Sequence, residues 1–329
     1  MKIAVVILNW NGKALLKTFL PSVVKFSKDA DIYVADNAST DDSVNFVTLN
    51  FPEVTLIQNK SNGGYAKGYN DALKHINADV YCLLNSDIEV TAQWLDPIVK
   101  EFQTHPKTAI VQPKILDYKN KTQFEYAGAA GGFIDRYGFA FCRGRIFDTL
   151  ETDQGQYNDR SSIFWASGAC LFIRASTFHK LNGFDTSYFA HFEEIDLCWR
   201  AFNYNYKALY IGDSTVYHVG GATLEAGNPR KTYLNFRNSL FTITKNSAYF
   251  LPSTLIIRMV FDGVAAIRFL IQMKFNHFWA VFRAHIDFYQ QLPRLLKLRH
   301  SLPKKKNYAL TKSIVWSYFV KNKHYFKFL

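Results

Sequence analysis

The stretch DVYCLLNSD, residues 79–87, is a short hydrophobic run that ends in three polar side chains. Its length and its content of apolar residues predict a buried strand, with the polar end at the point where the strand leaves the sheet. Three similar runs precede it, and apolar residues at helical spacing lie between them. The runs are residues 3–8, 31–35 and 54–58, and the helical segments are 12–27 and 64–76. This alternation predicts an α/β fold with a doubly wound, mostly parallel sheet.

Polar side chains follow each of these four predicted strands. The polar segments are residues 9–12, 36–37, 59–64 and 85–87. The carboxyl ends of parallel strands meet at one edge of the sheet, where such folds bind their ligands. Loops are polar in most proteins, and this would explain any one segment. Four of them together favour a single polar crevice.

The second half of the chain is less regular. Residues 120–162 are rich in Gly, Asp and aromatic side chains and follow no period. We expect a long loop region with short strands there, on the side of the substrate. The apolar run at 163–173, interrupted by small residues, predicts a further strand that a ligand or another backbone segment approaches closely. Residues 193–202 have the pattern of a helix.

Charge is distributed unevenly along the chain. Residues 250–329 hold fourteen Lys and Arg residues and two acids, so this segment accounts for the whole net charge of +12. We predict an α/β domain at residues 1–248 and a helical, basic and aromatic extension at 249–329. Because large apolar residues are mixed with the bases, an anionic membrane surface fits the extension better than nucleic acid does. No nucleic-acid partner is expected. Helices packed on the domain are the simpler alternative.

The cysteines and the N-terminus indicate the compartment. The four cysteines are far apart, and Cys82 and Cys170 lie in apolar runs, which predicts buried free thiols in a reducing, cytoplasmic setting. The apolar N-terminal run has no small-residue cleavage site and is interpreted as a strand, not a signal peptide. No window long enough to cross a membrane is free of charge, so a spanning helix is not expected.

Asp87 is the first candidate for chemistry. A carboxylate at a strand end beside a phosphate-sized crevice is a suitable ligand for Mg²⁺ or Mn²⁺. Such a metal ion would join the protein to the two phosphates of a nucleotide-sugar. A lone Asp at a strand end is more often a turn or cap residue, so the metal interpretation needs support from other residues.

The run EEIDLCWR at residues 193–200 supplies further acids at the start of a predicted helix. The helix dipole favours acids there, and Asp196 and Arg200 have the spacing of an intrahelical ion pair. Glu193 and Glu194 remain. One of them, near an apolar wall, would have a raised pKa and serve as a general base for an acceptor hydroxyl. Capping and catalysis explain this pair equally well.

His218 and Arg237 are weaker candidates. His218 ends an apolar run and is followed by two glycines, but a lone His is more often a hydrogen-bonded structural residue than a ligand. Arg237 is a cation suited to a diphosphate, and a surface position on a helix explains it equally well.

Taken in order, these segments resemble family 2 glycosyltransferases of the GT-A fold, particularly the bacterial rhamnosyltransferase-like members. The resemblance covers roughly residues 3–240, and the ordered combination is far more specific than any single motif. The matching segments are 5–12 (VVILNWNG), 34–41 (VADNASTD), 62–70 (NGGYAKGYN), 84–87 (LNSD), 193–200 (EEIDLCWR) and 218–223 (HVGGAT).

The resemblance implies a role for the residues of the first two strand ends and of the glycine-rich segment. Trp10 and Asp36 would hold the nucleotide base, because an Asp there accepts a hydrogen bond from the ring N–H that uracil and thymine have and cytosine lacks. Asn62 and Lys67 would lie near the ribose and the phosphates.

The resemblance also assigns the metal and the base. Asp87 matches the last acid of the family's Asp-x-Asp metal motif, His218 resembles its additional metal ligand, and Glu194 aligns with the catalytic base. Asn85 replaces the first acid of the metal motif, and it is counted with Arg237 among the residues that contact the nucleotide-sugar. The family more often has Asp at the base position, which keeps Glu193 as an alternative base.

The predicted function is transfer of a sugar from a thymidine or uridine diphosphate sugar to a hydroxyl of a glycan or lipid-linked acceptor, with inversion at the anomeric carbon. A rhamnose-type donor, Mn²⁺ or Mg²⁺ as cofactor and a part in cell-envelope polysaccharide biosynthesis go with it. The expected place is the cytoplasm, peripheral on the inner face of the cell membrane. The alternative is a catalytically silent nucleotide-sugar-binding or scaffolding protein, against which the acids at 87, 193 and 194 argue.

Overall fold

The computed structural model describes residues 1–220 and 227–329, which contain thirteen β-strands and ten α-helices. The strands are β1 (Ile3–Asn9), β2 (Asp31–Asp36), β3 (Thr55–Gln58), β4 (Val80–Asn85), β5 (Ile88–Val90), β6 (Thr108–Asp117), β7 (Gly132–Ile134), β8 (Ala140–Cys142), β9 (Arg145–Ile146), β10 (Thr149–Leu150), β11 (Arg160–Ile163), β12 (Cys170–Arg174) and β13 (Lys207–His218). The helices are α1 (Lys13–Phe26), α2 (Ser43–Asn50), α3 (Gly64–Ala72), α4 (Asp96–Thr104), α5 (Ala175–Lys180), α6 (Glu193–Asn203), α7 (Pro229–Asn246), α8 (Leu251–Ile271), α9 (Phe275–Ser301) and α10 (Ile314–Phe319). The last three residues of the segment 218–223 lie outside the described residues.

The first four strands form the parallel half of the large sheet, in the order β4–β1–β2–β3. Both faces of β1 are buried. Val5 and Ile7 belong to the core shared with α1, and Val6 belongs to the core shared with α3. A strand buried on both faces cannot alternate apolar and polar residues, which explains the continuous apolar run. In this register Asn9 lies opposite Asp36, and Leu8 lies opposite Asn85. The polar ends of three strands therefore share one edge, as predicted.

The second half of the large sheet is mixed. β12 pairs antiparallel with β4 and β6, β13 runs parallel to β6, and β5 and β11 pair antiparallel with β13. The α/β class is confirmed, and these antiparallel pairs are additions that the repeating pattern of the first hundred residues does not reveal. β7 to β10 form a small separate sheet, so the short strands expected within residues 120–162 are present.

The prediction of one strand at residues 163–173 is wrong. β11 ends at Ile163 and β12 begins at Cys170, because the intervening backbone bonds elsewhere. The N–H groups of Phe164 and Trp165 donate to the carbonyl of Gly132, and Ser167 N–H donates to the Gln112 side chain. This detour turns the segment away from the strand direction and places Gly168 beside the start of β12.

The C-terminal helices pack on the rest of the chain, with α7 against α9 and α8 against both. Ile314 N–H donates to the buried Asp135, and the Tyr308 hydroxyl donates to the carbonyl of Arg136. The domain boundary between residues 248 and 249 stays a prediction. All four cysteines are free and buried, as predicted. Among the described residues, no helix combines the length and the apolar character needed to cross a membrane.

Candidate active site

The ends of β1 and β2 form one hydrogen-bonded unit. Asn9 Nδ2 donates to Asp36 Oδ1 at 3.0 Å and to Ser39 Oγ at 3.2 Å, and Ser39 N–H donates to Asp36 Oδ2 at 2.9 Å. The Asp36 carboxylate is therefore fixed and almost fully buried. The next residue after Asn9 is Trp10, whose side chain is 51% exposed at the mouth of this unit. A buried carboxylate beside an exposed aromatic ring suits a heterocyclic base, which offers both an edge and a face.

The glycine-rich segment leads from this unit to α3. Asn37 Nδ2 donates to Asn62 Oδ1 at 3.0 Å, and Asn62 Oδ1 also accepts from Gly64 N–H. Gly64 has a φ of +76°, and a Cβ there would lie 2.3 Å from the carbonyl oxygen of Phe189, so a larger residue does not fit. Lys67, one turn into the helix, is exposed and forms an ion pair with Asp71.

Asp87, Asn85 and His218 meet at the ends of β4 and β13. His218 is brought there because β13 pairs with β5, where His218 lies opposite Ile88. His218 Nε2 lies 3.1 Å from Asp87 Oδ1 and 3.3 Å from Asn85 Nδ2. Asp87 and His218 are buried. Residues more than 130 positions apart in the chain thus form one cluster, as the metal interpretation requires.

Glu125 is a member of this cluster that the sequence analysis missed. Its Oε1 lies 3.3 Å from His218 Nδ1, its Oε2 accepts from Ala127 N–H, and the side chain is buried. Burial alone would lower the pKa of His218, but the carboxylates of Glu125 and Asp87 outweigh it and raise that pKa to about 10. No sequence signal identifies Glu125, because it is a lone acid in an irregular segment.

The donor set fits a hard divalent cation that completes its coordination with phosphate. Within residues 1–220 and 227–329, no group of three or more His, Cys, Asp or Glu side chains is arranged as a closed metal site. Mg²⁺ and its analogues are usually held by one or two protein ligands together with the phosphates of the substrate. Asp87 Oδ1 and His218 Nε2 could form such a pair once a bound cation displaces the proton of the ring, and Glu125 on the other ring nitrogen is the kind of acid that often orients a metal-binding His.

A strained loop sets the entry to α6. Phe189, His191 and Phe192 all have positive φ values, of 61°, 68° and 71°. Such backbone costs energy and persists only where neighbours hold it. Asn238 does so by donating to the carbonyls of Tyr188, Ala190 and His191.

Arg237 also holds the loop that precedes α6. Its guanidinium donates to the carbonyls of Ser187 and Tyr188, to the Tyr233 hydroxyl at 3.0 Å and to Asn238 Oδ1 at 2.9 Å. In this structure its donors hold the loop that precedes α6. Contact of Arg237 with a diphosphate stays a prediction.

Glu193 and Glu194 open α6 and have unusual environments. Within the part of the chain that is described, Oε2 of each is shielded from water and has no hydrogen-bond partner. Burial raises the pKa of Glu194 to about 7, and burial together with the neighbouring Glu194 raises the pKa of Glu193 well above its usual range. The raised pKa of Glu193 favours its neutral form, and Glu194, with a pKa near neutrality, is suited to accept a proton.

Asp196 differs from these two acids. It accepts from Arg200 Nε at 2.8 Å, from Asn246 Nδ2 at 2.8 Å and from Lys245, which also pairs with Asp185. Burial would raise the pKa of Asp196, but Lys245 and Arg200 outweigh it and the pKa is lowered. Asp196 is thus a charged structural residue, and its ion pair with Arg200 is confirmed.

Tyr65 is hydrogen-bonded near the end of β4, and the charges of the acids of α6 act on its hydroxyl. Its hydroxyl donates to the carbonyl of Gly168 at 2.8 Å, and the next residue, Ala169, accepts from Asn85 N–H at 2.9 Å. Burial raises the pKa of Tyr65 well above its usual range, and the charges of Glu193 and Glu194 raise it further. The Tyr65 hydroxyl thus holds the residue next to the one that pairs with the end of β4.

Comparison with known proteins identifies the family of this chain. The sequence profile described as Glycosyl transferase family 2 matches residues 4–181, more than half of the chain. The N-acetylglucosaminyl-diphospho-decaprenol L-rhamnosyltransferase of Mycobacterium tuberculosis is 24% identical over 220 residues, which cover 62% of this chain and 71% of that protein. A low-salt glycan biosynthesis hexosyltransferase of Haloferax volcanii is 21% identical over 289 residues, 84% of this chain and 87% of the relative.

A solved structure supports the fold. The mannosyltransferase PcManGT from Pyrobaculum calidifontis, in complex with GDP-Man and Mn²⁺, superposes with a TM-score of 0.55 at 12% identity, over 88% of this chain and 87% of that one. The resemblance inferred from the motifs is confirmed. The chain belongs to glycosyl transferase family 2, and it is a glycosyltransferase with the GT-A fold.

Proposed function

We propose that the protein transfers a sugar from a thymidine or uridine diphosphate sugar to a hydroxyl of a glycan or lipid-linked acceptor, with inversion at the anomeric carbon. The observation that carries this proposal is Glu194, a carboxylate with a pKa of about 7 and a shielded, unpartnered oxygen. A general base works best when its pKa lies near the working pH. Asp196, which is structural, has a lowered pKa and several partners.

The donor nucleotide is held at the ends of β1 and β2. Asp36, fixed by Asn9 and Ser39, accepts the ring N–H of uracil or thymine, and Trp10 covers the face of the base. Asn62 lies where the ribose would follow, and Lys67 exchanges Asp71 for a phosphate when the donor is bound. A rhamnose-type sugar is favoured, because the relative from Mycobacterium tuberculosis is named as an L-rhamnosyltransferase.

Asp87 and His218 would hold Mn²⁺ or Mg²⁺ against the diphosphate. When bound, the metal ion offsets the negative charge that develops on the leaving nucleoside diphosphate. Asn85 cannot add a second carboxylate; its amide nitrogen lies 3.3 Å from His218 Nε2 and would donate to a phosphate oxygen when the donor is bound. Glu125 orients the His218 ring from the opposite side. The presence of Mn²⁺ in the complex of the mannosyltransferase from Pyrobaculum calidifontis supports the choice of metal.

Glu194 removes the proton from the acceptor hydroxyl while the oxygen of that hydroxyl attacks the anomeric carbon. Attack from the side opposite the leaving diphosphate inverts the configuration in one step. Burial and the charge of Glu194 raise the pKa of Glu193, which disfavours two ionised carboxylates in this buried pair. The reverse assignment, with Glu193 as the base, is the alternative.

The acceptor is proposed to be lipid-linked, in polysaccharide biosynthesis at the cell envelope, with the enzyme peripheral on the cytoplasmic face of the membrane. The name of the rhamnosyltransferase relative, which includes a diphospho-decaprenol, supports a lipid-linked acceptor. The fourteen bases of residues 250–329 support an anionic surface.

A panel of nucleotide-sugars tests the proposal by thermal shift in the presence of Mn²⁺. We expect thymidine or uridine diphosphate sugars to raise the melting temperature and cytidine nucleotides to have little effect. Asp36→Asn should remove this preference. A panel in which no thymidine or uridine donor stabilises the protein, while another nucleotide does, overturns the assignment of the base.

A further inference from the structure

The helix α8 presents its polar residues to the protein and its aliphatic residues to the outside. Its buried side chains are Thr254, Arg258, Asp262 and Ala266. Arg258 donates to Asp262 at 2.7 Å and to Ser239 at 2.8 Å, so the buried face is held by hydrogen bonds. An ordinary surface helix buries its apolar stripe and exposes the polar one. In α8 a charged pair is buried beside Leu255 and Met259, and a row of aliphatic residues is exposed.

The outer face of α8 carries one continuous aliphatic stripe. Its members are 58% to 78% exposed, and they follow the helical repeat over about four turns, roughly 22 Å. The stripe consists of Ile256, Val260, Val264, Ile267 and Ile271. A row of this length differs from the scattered apolar residues that every protein surface has.

The outer face of α9 carries a second exposed row, made of larger side chains. Its exposed members are Phe275, Trp279, Phe282, Ile286 and Tyr289, which are 41% to 57% exposed. They lie opposite the buried side of α9, where Ala284 and Phe288 pack on the protein. α8 and α9 are antiparallel neighbours joined by a short turn at 272–274, so the two rows flank one hairpin.

The charges around the hairpin distinguish between two possible binding partners, a second copy of this chain and a lipid bilayer. Arg268, Lys274 and Arg283 are exposed beside the two rows. The two acids of residues 250–329 are both engaged: Asp262 with Arg258 and His285, and Asp287 as acceptor of the Tyr233 hydroxyl. A second copy of this face would bring cations against cations with no acid to pair them. A bilayer with anionic head groups matches both the apolar rows and their basic margins.

We infer that the α8–α9 hairpin docks on an anionic lipid bilayer. The two exposed rows, which begin at Ile256 on α8 and at Phe275 on α9, enter the boundary between the lipid head groups and the acyl chains. The inference rests on the proposed lipid-linked acceptor and names the surface that delivers it. Met273 and Lys274, in the turn of the hairpin, border one depression together with Gly227 and Pro229. Thr232 and His277 are hydrogen-bonded at 2.8 Å. The turn of the hairpin thus lies against the start of α7.

Vesicle co-sedimentation of the full chain tests this surface. The vesicles contain phosphatidylcholine with phosphatidylglycerol, and the variants are Ile267→Asp and Trp279→Asp. Leu49→Asp is the matched control, because Leu49 on α2 is 80% exposed and lies outside the hairpin. We expect the wild type and the control to bind alike, and each hairpin variant to bind at least about ten-fold more weakly, since its side chain leaves the lipid. Equal binding by the hairpin variants and the control overturns the inference.

Two further measurements separate this inference from the proposed reaction. Sedimentation velocity without lipid reports self-association, and a dimer that Ile267→Asp dissociates would mean that a second copy covers the hairpin, which overturns the lipid assignment. Glu194→Gln should bind vesicles like the wild type while losing transfer. Vesicle binding without transfer from any donor supports the docking surface and contradicts the proposed reaction. Transfer to a water-soluble acceptor without vesicle binding supports the proposed reaction and contradicts the docking surface.

Discussion

Glu194→Gln is the substitution whose effect follows most closely from the structure. Glutamine keeps the shape of the side chain but cannot take up a proton. Loss of a general base typically lowers kcat by about 10²- to 10⁴-fold, which corresponds to roughly 3 to 5 kcal/mol of activation free energy. Binding of the donor should be unchanged, because Glu194 lies on α6 and the nucleotide is assigned to the ends of β1 and β2.

The pH dependence gives this prediction a second readout. The base acts in its ionised form, so with a pKa of about 7 the rate should rise with pH, pass half-maximum near neutrality and level off above it. One pH unit lower, about a tenth of the enzyme carries the ionised base. The residual rate of Glu194→Gln should lack this rise.

The assay is steady-state release of nucleoside diphosphate, with donor affinity measured separately by calorimetry. Glu193→Gln is the matched control, which should retain most of the activity because the raised pKa of Glu193 favours its neutral form, which glutamine resembles. Folding of Glu194→Gln is checked by its melting temperature at pH 8. Because the pKa of Glu194 is raised in the folded state, its ionised form destabilises the wild type at this pH. Glu194→Gln should therefore melt at the same temperature as the wild type or at a higher one. Full activity of Glu194→Gln with an unchanged pH profile would refute the reasoning, and loss of activity in Glu193→Gln alone would transfer the role to Glu193.

Three other predictions concern the metal side, the nucleotide and the stability of α6. Glu125→Gln should weaken Mn²⁺ binding about 10- to 100-fold, because the ring of His218 loses its charged partner. Electron paramagnetic resonance of Mn²⁺ measures the affinity, and an unchanged affinity would remove Glu125 from the site. Asp36→Asn should weaken uridine diphosphate binding roughly ten-fold or more by calorimetry, and an equal affinity would contradict the base contact. Lys245→Met should lower the free energy of unfolding by about 3 to 5 kcal/mol at neutral pH, because it leaves Asp185 and Asp196 buried without their shared cation. Burial would raise the pKa of Asp185, but Lys245 outweighs it and the pKa is lowered. The stabilisation by Lys245 is therefore fully present above the unfolded pKa of about 4 and should fade as the pH falls below it. Denaturant titrations at several pH values measure this loss.

The parallel half of the fold and its site edge could be predicted from the sequence because they depend on local patterns. Buried strands appear as continuous apolar runs, and parallel pairing places their polar ends together. Position alone therefore marks Asp87 as a candidate and puts Asp36 in the polar crevice, whereas the predicted contact of Asp36 with the base comes from the resemblance. The resemblance to a known family was needed to join His218 to Asp87, because their meeting depends on the pairing of β13 with β5.

Other features depend on long-range packing, which local patterns do not record. Glu125 reaches His218 through an irregular segment, and no periodicity marks it. The break between β11 and β12 arises from bonds of residues 164–167 to Gly132 and Gln112. In α8 the helical repeat is plain in the sequence, but the pattern alone favours burial of the aliphatic stripe, and only the tertiary structure shows that Arg258 and Asp262 are inside.

The most direct test of the central claim is transfer of a labelled sugar to a lipid-linked acceptor. Thymidine and uridine diphosphate sugars, with rhamnose among them, are supplied with Mn²⁺ and vesicles that carry a diphosphate-linked N-acetylglucosaminyl lipid. The account predicts a labelled lipid product with the inverted anomeric configuration, formed by the wild type, abolished by a chelator and lost in Asp87→Asn. Tight binding of donors with no product from any of them would contradict it and would leave a silent nucleotide-sugar-binding protein.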